Sequence, residues 1–199
     1  MPKDYLDAVS RYNIRKAKPD PAKCALLVID MQRFFRPIPD PIIENVNAII
    51  SHARSSGAPV VYTRHGHEDL SKDGGLLSEW WGELAIRGSA EWKLLDDLDA
   101  RDDDIIVDKN RYDAFHGTEL DSILRSKNID QLIITGVLTN CCCETTARAA
   151  FVRDYRVFFL SDATATANED LHVASLKNLA FGFAHILSTQ QLISMERRR

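Results

Sequence analysis

Leu132-Ile133-Ile134-Thr135-Gly136-Val137-Leu138-Thr139-Asn140-Cys141-Cys142-Cys143-Glu144-Thr145-Thr146-Ala147-Arg148 joins an apolar run of strand length, through a glycine, to a segment of helical pattern headed by three cysteines. A strand that passes straight into a helix is one unit of a parallel sheet with crossover helices. The same alternation repeats on either side of it. Strands are expected near Cys24 to Ile29, Pro59 to Thr63, Asp104 to Asp108, Gln131 to Thr135, Arg156 to Leu160 and His185 to Ser188. Helices are expected roughly over Pro41 to Ser55, Thr118 to Lys127, Asn140 to Arg153 and Glu169 to Phe181, each with an apolar stripe at helical spacing. In the first, Ile42, Val46, Ile49, Ile50 and Ala53 share a face, and Gly57 supplies the stop. The expected fold is a doubly wound, Rossmann-like α/β domain with six parallel strands in the order 3-2-1-4-5-6.

A chain of 199 residues that is 45% hydrophobic and 27% charged suffices for one good core, so a single domain over 1–199 is expected, with 1–22 as an N-terminal extension. The opening Met1-Pro2-Lys3-Asp4-Tyr5 lacks the apolar core of a secretory leader, and no apolar run approaches the roughly 20 residues that span a bilayer. A soluble cytoplasmic protein is the expectation. With 25 basic and 29 acidic residues the net charge is −4, and neither sign gathers into a tract that would mark a nucleic-acid surface. Arg197-Arg198-Arg199 reads as a solvated tail. Three of the four cysteines are consecutive and would splay around a helix, which excludes a disulfide scaffold and points to reduced thiols. The stretch from Arg64 to Ala90, with Gly74-Gly75, Gly82 and Gly88, is longer than an ordinary connection, as loops that close over a site are.

In open α/β sheets ligands bind beyond the carboxyl ends of the strands. Asp30 ends Ala25-Leu26-Leu27-Val28-Ile29, Lys109 follows Ile105-Ile106-Val107-Asp108, and the cysteines follow the strand quoted above. Any one of these alone reads as an ordinary surface residue; a carboxylate, an ammonium and a thiol at three strand ends of one sheet read as a site. Thr139 and Asn140 are candidate N-caps, which places the cysteines in a first helical turn, where unpaired N–H groups lower a thiol's pKa. Cys143 falls on a stripe with Ala147, Ala150 and Phe151 and reads as a packed core thiol. Helical geometry leaves Cys141 and Cys142 as equal candidates for a nucleophile.

Leu27-Val28-Ile29-Asp30-Met31-Gln32, Lys109-Asn110-Arg111-Tyr112-Asp113-Ala114-Phe115-His116-Gly117-Thr118 and Thr135 to Arg148 resemble, in order and placement, the three signature blocks of isochorismatase-like cysteine hydrolases. The resemblance picks Cys142 as nucleophile, one variable residue after Gly-Val-x-Thr-Asn, with Asp30 as general base and Lys109 as the third member of the triad. Thr63-Arg64-His65-Gly66-His67, Ser78-Glu79-Trp80-Trp81 and Phe158 to Thr166 look most like the plant-type nicotinamidase branch. The resemblance implies acyl transfer through a thioester. It also implies an oxyanion hole from the backbone N–H groups of Leu138 and Cys142, with a cis peptide between Val137 and Leu138.

Phe34, Phe35, Trp80, Trp81, Tyr112 and Phe115 are candidates to line an apolar pocket for a flat ring, Phe35, Trp81 and Tyr112 foremost, although each alone reads as ordinary packing. Metal-binding relatives carry Asp-x-His where this chain has His65-Gly66-His67, with a further His that is not visible here. No cofactor is therefore expected, His65 and His67 being the one place a metal would sit. His116 and His172 read as loop and helix-surface residues and His185 as a satisfied core group. The expected partners are a small amide and further copies of the chain in a dimer or tetramer, the latter implied by the resemblance. Two other readings compete: vinyl ether hydrolysis of the isochorismatase type, which needs no thioester, and a non-catalytic binding or redox-sensing domain in which the adjacent thiols are oxidised.

Overall fold

The computed structural model describes residue 3 and residues 5–196; the Arg197 to Arg199 tail and residues 1, 2 and 4 of the extension lie outside the described residues. Six strands, β1 (Cys24–Ile29), β2 (Val60–His65), β3 (Ile105–Lys109), β4 (Gln131–Val137), β5 (Arg156–Ala165) and β6 (Ala184–Leu187), form one sheet in the order β3-β2-β1-β4-β5-β6. Every neighbouring pair is parallel. The expected order of strands is the observed one.

β1 and β4 lie at the centre and are buried at every position, which is why both read as predominantly apolar runs. Side chains alternate between the two faces of the sheet. Ala25, Leu27 and Ile29 enter one core, and Cys24, Leu26 and Val28 the other. Helices α5 (Leu120–Ser126), α6 (Glu144–Phe151) and α7 (Glu169–Gly182) cover the first core with Leu120, Leu124, Ala147, Ala150, Leu176 and Leu179. Helices α2 (Ile43–Ser55) and α8 (Thr189–Glu196) cover the second through Val46, Ile49, Ile50, Ala53 and Leu192. α2 ends where the sequence stops it, with Gly57 at φ 78°. Among the described residues, no helix is long and apolar enough to cross a membrane.

Several local expectations are corrected. β5 runs on past Leu160 to Ala165 through a bulge: Ile134 pairs with Phe159, but Gly136 pairs with Thr164 and Val137 with Ala165. Asp162, in the bulge, accepts bonds from the backbone N–H and hydroxyl of Thr189, a long-range tie that no local pattern announces. The helix expected from Asn140 starts instead as a π-helical turn, Thr139–Cys143, before α6 begins. Phe151 does not face the sheet; it is exposed and packs edge-on against Phe183. The 64–90 stretch extends β2 to His65 and holds two short helices, α3 (Leu70–Asp73) and α4 (Gly75–Trp81). Within the extension, α1 (Leu6–Val9) buries Val9, and Asn13 bonds both the carbonyl and the amide of Ile186.

Candidate active site

Asp30, Lys109 and Cys142 meet beyond the carboxyl ends of β1, β3 and β4. Lys109 Nζ lies 2.6 Å from Asp30 Oδ2 and 3.4 Å from Cys142 Sγ, and also donates to Arg111 O at 3.0 Å. All three side chains are buried. Thr63, within the intervening β2, donates its hydroxyl to Asp30 Oδ1 at 2.6 Å and accepts from the Asp30 amide at 3.1 Å. The carboxylate is therefore held from two sides, by an ammonium and by a hydroxyl.

The chain path explains how these groups reach one another. Asp30 has φ 50°, a left-handed conformation that costs a non-glycine residue energy and that turns the chain off the end of β1. Gly136, at φ 110°, faces Ile29 so closely that a Cβ there would run into the Ile29 backbone. The glycine thus lets the ends of β1 and β4 approach and brings Cys142 to Asp30. Beyond it the Val137–Leu138 peptide is cis, as the resemblance implied. Leu138 O accepts from the amides of both Cys141 and Cys143 at 3.1 Å, which winds the turn around a single carbonyl. Thr139 and Asn140 are not N-caps of that turn; their side chains bond His172 and Thr166 instead.

Burial pushes the Cys142 thiol well above its ordinary pKa; Lys109 works to lower it, and Asp30 to raise it. The expected activation by the helix end is therefore outweighed, and the resting group is a thiol beside a carboxylate. Burial likewise works to lower the Lys109 ammonium, but the Asp30 carboxylate and the Cys142 sulfur reverse it, so that Lys109 stays charged. Cys143 is packed in the core, with burial raising its thiol as well.

Cys141 and Cys142 open into an apolar cavity of about 290 Å³, lined also by Phe34, Phe35, Arg36, Pro37, Ile38, His65, Leu77, Trp81, Glu83, Leu84, Tyr112 and Leu138. Phe35, Trp81 and Tyr112 are thus brought together in one cavity. Trp81 Nε1 donates to the Tyr112 hydroxyl at 2.7 Å, joining α4 to the segment that follows Lys109. Trp80 and Phe115 are not lining residues: Trp80 is 80% exposed, and Phe115 is buried against Tyr155. Leu77 and Leu84 come from the 64–90 stretch, so this stretch forms a wall of the site.

His65 and His67 turn their Nε2 atoms toward each other at 3.3 Å, while His67 Nδ1 lies 3.3 Å from Asp73 Oδ1. Two imidazoles are fewer than the three protein ligands of a catalytic zinc. Among the described residues no group of three or more His, Cys, Asp or Glu side chains is placed to hold a metal ion. Burial, seconded by the Lys109 charge, pushes the His65 imidazole down to about 4. Gln32, buried and given no role by the sequence, fixes the end of β2: its Oε1 accepts from His65 N at 2.7 Å, and its Nε2 donates to His65 O and Trp92 O. His172 is not a surface residue but is buried against Thr139. His185 is half-buried on β6, stacked on Phe158.

Residues 24–191 match the isochorismatase domain. The chain is 43% identical to nicotinamidase 3 of Arabidopsis thaliana over 92% of its own length and 93% of that protein's. It is 35% identical to enterobactin synthase component B of Escherichia coli, over 87% of its own length and 64% of that protein's. The crystal structure of a cysteine hydrolase from Pseudomonas syringae pv. phaseolicola superposes with a TM-score of 0.87 at 29% identity, covering 92% of this chain and 96% of that one.

Proposed function

The chain belongs to the isochorismatase family of hydrolases, and we propose that within it this protein cleaves the carbon–nitrogen bond of a small planar amide through a thioester on Cys142. The observation that carries the reading is the buried set of Asp30, Lys109 and Cys142, of which Cys142 lines an apolar, aromatic-walled cavity of about 290 Å³. The likeness to a nicotinamidase over nearly the whole chain makes nicotinamide the first substrate to test.

In this mechanism Asp30 takes the Cys142 proton as the sulfur attacks the amide carbon, while Lys109 stabilises both the carboxylate and the forming thiolate. Because burial keeps the resting sulfur protonated, the proton moves only when an electrophile is in place. The charge that develops on the carbonyl oxygen is met by the backbone N–H groups of Leu138 and Cys142. Asp30 returns the proton to the departing nitrogen, and ammonia leaves. Water then attacks the thioester and gives a proton to Asp30, which passes it to the departing Cys142 sulfur as the acid is released. No step passes through a metal. The proposal includes a cytoplasmic location, where thiols stay reduced, in keeping with four cysteines that form no disulfide. It also includes assembly as a dimer or tetramer, for which analytical ultracentrifugation is the test.

Intact-mass spectrometry after brief exposure to nicotinamide and a panel of aromatic amides tests the chemistry. An acyl adduct that maps to Cys142 and decays to free acid is the expected result. No adduct and no acid from any amide, with vinyl ether cleavage that survives Cys142→Ala but not Asp30→Ala, would replace the amidase reading with isochorismatase chemistry.

A further inference from the structure

The turn that carries Cys142 is tied to the sheet at its start by β4, and it is also held from outside. Thr139 Oγ1 lies 2.9 Å from His172 Nδ1, and His172 Nε2 lies 3.0 Å from Ser161 O. A carbonyl can only accept, so Nε2 carries the hydrogen; in the neutral ring Nδ1 is then a bare acceptor that receives the Thr139 hydroxyl. Thr139 and Ser161 are inaccessible to solvent and His172 is 5% exposed, so water does not compete for these bonds. Burial also holds the His172 imidazole below its ordinary pKa, which keeps the ring neutral. The Tyr5 ring, 4.6 Å away between centroids, covers it from the extension. At the next residue the Thr166 hydroxyl donates to Asn140 Oδ1 at 2.6 Å. Two consecutive residues of the turn thus reach out to β5, α7 and the connection between them instead of capping their own helix.

We propose that His172 is a positioning residue for this turn: anchored on Ser161, its neutral ring fixes Thr139 and, through it, the Leu138 amide and the Cys142 sulfur. The proposal rests on the reading of Cys142 as nucleophile and Leu138 as oxyanion donor. Thr139 is the residue immediately after Leu138, and Leu138 O is the carbonyl around which the turn winds. A shift of Thr139 therefore moves donor and nucleophile together, and positioning errors of this kind lower kcat more than they weaken binding.

His172→Asn, His172→Gln and Thr139→Val test it. Asparagine can place an acceptor where Nδ1 stood but cannot reach Ser161, whereas glutamine can reach Ser161 but leaves Thr139 without its acceptor; valine keeps the shape of threonine and removes the hydroxyl. Amide hydrogen exchange read by mass spectrometry over 138–143 should rise about tenfold in His172→Gln and Thr139→Val, as expected for one lost buried hydrogen bond, and by less than that but above wild type in His172→Asn, which keeps the acceptor for Thr139 but loses the anchor on Ser161. Exchange in β1 and β4 should not change. With nicotinamide, kcat should fall about tenfold in the same two variants, with KM within about twofold. Wild-type exchange over 138–143 in Thr139→Val, or an increase spread equally over β1 and β4, overturns the proposal. If the wild-type protein leaves nicotinamide intact, the substrate reading fails, and the exchange measurements alone decide the role of His172.

Discussion

The Asp30 carboxylate and the Lys109 ammonium meet at 2.6 Å with neither side chain reached by solvent. Charges so buried are costly unless paired, and removing one partner of such a pair leaves the other without compensation, typically at about 3 to 5 kcal/mol. Lys109→Met should therefore lower the stability of the protein by an amount in that range, read from urea unfolding at neutral pH. It should also slow amide turnover at least about 100-fold, because the ammonium is the one group named here that lowers the Cys142 pKa. A variant as stable as wild type would show that the pair is not buried in solution.

Alkylation of the free protein should be confined to Cys141 and Cys142, the two thiols that line the cavity, and should leave Cys24 and Cys143 unmodified. Since burial raises the pKa of both reactive thiols, labelling by iodoacetamide should be slow at pH 7 and should accelerate as the pH rises. Lys109→Met should slow it further at Cys142. Peptide mapping after timed exposure reads each site separately, and equal labelling of all four cysteines would contradict the cavity described above.

The central strands were legible because β1 and β4 are buried on both faces and so carry mostly apolar residues before the residue that turns into the site. Asp30, Lys109 and Cys142 stood out for the same reason, each interrupting or following such a run. Thr63 and His172 did not. A threonine in a strand or a histidine in a helix acquires meaning only from its partner, and these partners lie 33 residues away in sequence. The extension of β5 was hidden likewise, since it depends on Asp162 holding Thr189 rather than on any alternation of apolar residues. In the 64–90 stretch the two helices are only four and seven residues long, too short for a helical stripe to be distinguished from a loop.

His65 should make the protein sensitive to acid. Its pKa falls from the ordinary 6.5 to about 4 on folding, so between those values the unfolded chain binds a proton that the folded one does not. Stability then rises with pH across this window and is lost as the pH falls through it, by about 3 kcal/mol in all. His65→Gln removes the titrating group, so the difference in unfolding free energy between pH 7 and pH 4.5, where the loss is not yet complete, should be smaller in the variant than in wild type by about 2.5 kcal/mol. His172 also titrates below its ordinary value, but it is common to both proteins and cancels in the comparison. Parallel stability curves for the two proteins would mean that His65 is not held neutral by the fold.

The division of labour between Asp30 and Cys142 can be separated from their contribution to folding. Cys142→Ser should lose nearly all amide hydrolysis, because a hydroxyl is far harder to deprotonate than a thiol, while a similar volume and a buried position without charge leave stability close to wild type. Asp30→Asn should be equally inactive, since an amide cannot take the proton. Its stability should nevertheless fall: conserving volume does not conserve the charge that Lys109 faces at 2.6 Å, and the ammonium is left buried without a counterion. The double variant should be scarcely less active than either single one, as groups that act as one apparatus are strongly non-additive, yet it should be as unstable as Asp30→Asn alone. Activity and unfolding measured on all four proteins therefore give a cycle that closes differently in the two readouts. Multiplicative losses of activity in the double variant, or substantial turnover by Cys142→Ser, would show that base and nucleophile do not work together and would remove the thioester mechanism.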